Sequence, residues 1–142
     1  VANQAAHRPD HLKARQYARG VLQAAGLDIQ GWVSVYPPAP PYSGRSWYER
    51  GYGPRWRTKD GSLHGRRTSE ALGRKWATRV DPDGLTVHTG NTASYAPLVH
   101  DETAQPGFHA ARGWRTIQAA ATRFGPDVIA KIKQAIENIW RG

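Results

Sequence analysis

Apolar residues recur at three- and four-residue spacing through Ala18, Val21, Leu22, Ala25, Ile29, Trp32, Val33 and Tyr36. That period matches one face of an α-helix and predicts a single long helix from about Asp10 to Tyr36. Pro9-Asp10 supplies its start, because Pro suits a first turn and Asp favours the positive helix end. Pro37-Pro38 stops it. Gly20, Gly26 and Gly31 each oppose the helix by roughly 1 kcal/mol relative to Ala. The stripe keeps phase across all three, so the helix is expected to continue, with any bend near Gly26; the glycines can equally mark close packing against a neighbour. Residues 1–9 show no period and are expected to form a flexible arm.

A second stripe, Val128, Ile129, Ile132, Ile136, Ile139 and Trp140, predicts a closing helix with Lys131, Lys133, Gln134 and Glu137 on its other face. Ile117–Phe124 is Ala-rich and helical in character. Gly125-Pro126-Asp127 is expected to end that piece and start the last one. Gly113-Trp114-Arg115-Thr116 before it reads either as a short edge strand or as the lead into the helix.

Between the helical ends the period changes to two. Trp76–Val80 and Leu85–His88 alternate about Asp81-Pro82-Asp83-Gly84, and turn residues between β-compatible runs predict a hairpin. A turn at Gly90-Asn91-Thr92 follows, then a segment whose Tyr95, Leu98 and Val99 would close the sheet's edge. Ser69–Gly73 reads as one helical turn before the hairpin, capped by Thr68 or Ser69. The expected fold is therefore α+β, a single domain over residues 10–142. A long N-terminal helix and a C-terminal helix pack on a small antiparallel β-sheet with a central hairpin.

Residues 37–67 carry no apolar period and are rich in Pro, Gly, Arg and aromatic rings. A loop this long in a compact domain is functional, disordered alone, or ordered by a partner. From Arg45 to Arg79 ten Lys and Arg face three acidic residues, with Tyr42, Trp47, Tyr48, Tyr52 and Trp56 interleaved. Protein interfaces concentrate Arg and aromatic residues at their centres. Single-stranded nucleic acid binders use the same residues for phosphates and stacking. Packing of the rings on their own domain is the third possibility.

Several motifs together resemble a known family. Thr68-Ser69-Glu70-Ala71-Leu72-Gly73-Arg74-Lys75-Trp76 precedes the hairpin, and Gly90-Asn91-Thr92-Ala93-Ser94-Tyr95-Ala96-Pro97-Leu98-Val99-His100 follows it. With Tyr36-Pro37-Pro38, then Arg45, Tyr48 and Arg50, and with Gly113-Trp114-Arg115-Thr116, the chain resembles the tail-completion (head–tail joining, or minor tail) proteins of long-tailed bacteriophages. The resemblance implies a virion structural protein, a connector in the neck. It implies self-association into a hexameric ring and contacts with neighbouring neck, tail-tube and terminator proteins, with packaged DNA within reach. Assembly in the host cytoplasm goes with it. The interface residues expected on this basis are Tyr42, Arg45, Trp47, Tyr48, Arg50, Trp56 and Arg57.

Net charge of +9 over 142 residues adds an affinity for acidic surfaces or polyanions. The alternative function is accordingly a basic nucleic-acid-binding protein using the same loop. The chain has no cysteine, which excludes disulfides and thiolate chemistry. No apolar run is long enough to span a bilayer, and no membrane partner is expected. His7 and His11 lack the acidic residue of a metalloprotease helix. His100, Asp101, Glu102 and His109 share one loop, the only grouping suited to metal or acid–base chemistry, as in a small nuclease. No serine sits in a nucleophile elbow, and Gly51-Tyr52-Gly53-Pro54 leads into basic loop rather than a helix. The expectation is no enzyme, no cofactor and no metal.

Overall fold

The computed structural model describes residues 2–38 and 46–141. The fold is mixed α+β: long first and last helices with two small antiparallel sheets. Two compact units divide the chain. One comprises residues 1–31, 77–90 and 120–142, the other 32–76 and 91–119. The described part of the 37–67 segment belongs to the second unit.

In the first unit, helix α1 spans Ala2–Val33. It starts ahead of Pro9-Asp10, so the arm expected over residues 1–9 is helical from Ala2. Ala and Gln there are strong helix formers, and their lack of an apolar period does not oppose a helix. At its other end α1 stops before Tyr36, because the residues ahead of Pro37-Pro38 are pushed out of the helical region.

The hairpin consists of β4 (Trp76–Val80) and β5 (Val87–Asn91). Asp81 N–H donates to Thr86 O at 2.9 Å, and Gly84 takes φ +73°, which its lack of a Cβ allows. The second strand begins two residues later than its sequence alternation suggests, and Gly90-Asn91 belong to it rather than to a turn. Gly26 of α1 meets this hairpin closely: a Cβ there would lie 2.6 Å from both Thr78 Cγ2 and Val87 Cγ2. Across the strands, Thr78 and Thr89 hydroxyls donate to Gly26 O at 3.1 and 3.0 Å.

Helix α5 runs unbroken from Ile117 to Arg141 with Pro126 inside it. The expected break at Gly125-Pro126 is absent because the inward positions Phe124, Val128, Ile132, Ala135 and Ile139 keep one phase across it. Ile129, Ile136 and Trp140, assigned to the inward face from sequence, are exposed. No helix among the described residues is long and apolar enough to cross a membrane.

In the second unit, residues expected to form an open loop fold as a meander of β1 (Trp47–Glu49), β2 (Gly53–Arg57) and β3 (Leu63–His64). Aromatic and charged side chains fall on both of its faces, so no apolar–polar period of two marks it in the sequence. Short helices α2 (Ala71–Arg74), α3 (Ala96–His100) and α4 (Gly107–Ala111) complete the unit. Neither Thr68 nor Ser69 caps α2; Glu70 takes that position in a left-handed conformation, φ 53°, with no side-chain cap.

The segment expected to edge the sheet is the helix α3. Helical spacing turns Ala96, Val99 and His100 inward and leaves Tyr95 and Leu98 exposed. Leu72, Ala93, Ala96, Val99 and Trp114 form the core, with Tyr36 and Tyr48 packed against it. Gly113, at φ +90°, leads into α5, and Thr116 Oγ1 accepts from Ala119 N–H at 3.1 Å as its cap.

Candidate functional site

The meander's register decides which loop residues face together. Trp47 pairs with Arg55, Tyr48 with Pro54 and Glu49 with Gly53, while Trp56 pairs with His64 and Arg57 with Leu63. Because side chains alternate along a strand, Trp47, Glu49, Arg55 and Arg57 share one face. Tyr48, Trp56 and His64 share the other. Gly51 at φ +84° and Gly53 at φ +64° make the connection between β1 and β2, with Tyr52 N–H donating to Glu49 O at 2.9 Å.

On the first face Arg55 is tied down. Its Nη1 donates to Glu49 Oε2 at 2.8 Å, and its guanidinium lies 4.1 Å from the Tyr52 ring centre. Arg57 lies 5.9 Å from the Trp47 ring centre and stays exposed. The turn after β2 is braced by Asp60, which accepts from Thr58 Oγ1 and from Ser62 N–H at 2.9 Å. Those hydrogen bonds, led by the Thr58 hydroxyl, hold the Asp60 carboxyl down to about 2.

On the second face, Tyr48 serves the core. Its ring meets Trp114 edge-on at 5.5 Å, and Arg112 Nη1 donates to its hydroxyl at 3.2 Å. Trp56 stacks on His64 at 5.9 Å with planes 15° apart and remains 44 % exposed. A ring of that size left half in water, on a braced strand, has the character of an interface anchor.

Of the seven residues expected at an interface, Tyr42 and Arg45 lie outside the described residues. Trp47, Trp56 and Arg57 present themselves on the meander. Tyr48 is turned to the core. Arg50 reaches back to Glu70, Nε to Oε2 at 3.8 Å, and so helps hold α2. Sequence reasoning overlooked the role of Arg55, Arg112 and Arg115. Arg115 Nη1 donates to Trp32 O at 2.8 Å with its guanidinium 4.6 Å from the Trp32 ring. Arg112 and Arg115 meet partners 64 and 83 residues away, so no local pattern signals them, whereas Arg55 meets Glu49 and Tyr52 within its own hairpin.

The histidine and acid grouping does not assemble. His100 is buried between Trp76, 5.0 Å away, and Trp114, 5.6 Å away, and its Nδ1–H donates to Arg115 O at 2.7 Å. Burial holds its pKa below the ordinary histidine value, opposed by that hydrogen bond. Asp101 accepts from Thr103 and from Gln118 Nε2, which keeps its carboxyl below the usual range. Among the described residues, no three His, Asp or Glu side chains gather as a metal would require. What the second unit offers chemically is a display of rings and guanidinium groups. Compared with known protein families, characterised proteins and solved structures, the chain matches none.

Proposed function

We propose that this chain is a structural protein of a long-tailed bacteriophage virion, a tail-completion or head–tail connector subunit. It would form a ring at the head-proximal end of the tail and contact neighbouring neck and tail-tube proteins. The motif resemblance supplies the identity of the assembly. The observation that carries an assembly role is Trp56, stacked on His64 and half exposed on a braced strand. Trp47 and Arg57 extend the surface onto the opposite face of the meander.

Double replacement of Trp47 and Trp56 by Ala is expected to abolish assembly while the monomer stays folded. Light scattering at matched concentration and circular dichroism check both halves; a variant that assembles as the parent does removes this surface from the interface.

A second reading follows from the same guanidinium–ring pairs: binding of single-stranded nucleic acid by stacking and phosphate contacts. Counterion release gives that reading a steep log-linear loss of affinity with salt. On the assembly reading, the mass in moderate salt is the same with and without DNA. Tight DNA binding at low salt that collapses as salt rises decides for the second reading.

A further inference from the structure

The first unit contains an open groove between α1 and α5 of about 430 Å3, within the roughly 300–1,000 Å3 of ligand-sized clefts. Tyr17, Gly20 and Ala24 line it from α1, Phe124 and Val128 from α5. Asp28, Asp127 and Lys131 add charge. Lys131 Nζ is bound to Asp127 at 2.8 Å and is also held in its charged form by the nearby Asp28 carboxylate, so two acids share one cation. The groove thus carries a net negative charge on a chain whose own charge is +9.

Gly20 is the informative residue. Gly26 on the same helix is required within the chain, since a Cβ there would strike the hairpin. A Cβ on Gly20 would meet nothing within 4 Å. A mid-helix glycine is unfavourable, and no contact inside the unit accounts for this one. Its open space faces into the groove, where a bulky group arriving from outside would use it.

The chain itself carries a group of complementary chemistry. Trp56 is half exposed, and beyond Arg50 and Arg55, which pair with Glu70 and Glu49, its segment carries Lys59, Arg66 and Arg67, all exposed. We propose that the α1–α5 groove of one copy receives the Trp56 surface of a second copy, ring into the Gly20 space and basic flank toward Asp28 and Asp127. The two patches differ, so the contact is heterologous, the type that propagates into rings or filaments. This inference rests on the self-assembling reading above and names its two halves.

The test uses two full-length variants. Gly20→Leu fills the groove, and Trp56→Ala removes its occupant. Each alone is expected to lose assembly in light scattering while keeping the parent's circular dichroism. Mixed, they are expected to form a one-to-one dimer and nothing larger, because one retains an intact Trp56 surface and the other an intact groove. Asp28→Lys, at an exposed position, is expected to weaken assembly by about tenfold or more while keeping the parent's circular dichroism. If the parent assembles and Gly20→Leu, folded, or Asp28→Lys assembles equally well, the groove is not the receiving surface and the ring reading stands. Assembly by Trp56→Ala, or failure of the mixed variants to pair, overturns the match between the two patches. A parent that stays monomeric at every concentration removes both the ring and this contact.

Discussion

Gly26 lies where α1 crosses the hairpin, with the Cγ2 atoms of Thr78 and Val87 each 2.6 Å from the place a Cβ would occupy. Forcing a methyl group into that space costs about 1–3 kcal/mol. The gain in helix propensity is roughly 1 kcal/mol. Gly26→Ala should therefore be net destabilising, whereas Gly20→Ala, with open space at its Cβ, should stabilise by up to roughly 1 kcal/mol. Urea unfolding of both variants checks the opposite signs. His100 makes a second residue-scale prediction. Burial keeps its folded pKa below 6.5, so the unfolded chain takes up the proton first as pH falls. Its contribution is complete above 6.5 and is lost as pH falls through the folded value. His109, lowered for the same reason, acts in the same direction. The unfolding midpoint should fall from about pH 7.5 to about pH 5, and His100→Phe should flatten that slope.

At the scale of elements, Pro126 sits in the interior of α5 and removes one helical hydrogen bond, a penalty of about 3 kcal/mol in a helix interior. Pro126→Ala should raise the thermal midpoint and leave the helical circular dichroism intact or stronger. Loss of helix in that variant would mean Pro126 shapes the element rather than burdening it. The same residue shows where sequence legibility ends. Pro and Gly together are strong local punctuation, yet burial of Phe124, Val128 and Ile132 along one face outweighs them. The hairpin was legible because Asp-Pro-Asp-Gly encodes its turn chemically, and Gly84 takes the positive φ that turn needs. The meander was not, because Arg and aromatic side chains occupy both of its faces. The candidate surface was legible as a composition but not as a geometry. Trp47, Trp56 and Arg57 stand exposed or half exposed, while neighbouring Tyr48, identical in kind, is drawn to Trp114 by strand alternation.

At the scale of the whole molecule, the two units interleave along the chain. Their boundaries fall inside α1, β4, β5 and α5, so four continuous elements pass from one unit to the other. A chain ending at Ala119 retains every residue of the second unit and lacks α5's share of the first. In hydrogen exchange, that truncation should keep amides around Leu72, Val99 and Trp114 protected and lose protection at 2–31 and 77–90. Loss of protection in both regions together would show that the units fold as one.

The order in which a ribosome delivers these segments adds a consequence. Residues of the second unit are all made before most of α5, so its core can close while synthesis continues. The first unit must wait, because its opening helix has no α5 to meet until about the last sixth of these residues has been made. The groove between α1 and α5 is therefore among the last features to appear. Under the proposed contact between copies, a nascent chain displays its Trp56 surface early but has no receiving groove of its own, so two unfinished chains would not join reciprocally on one polysome.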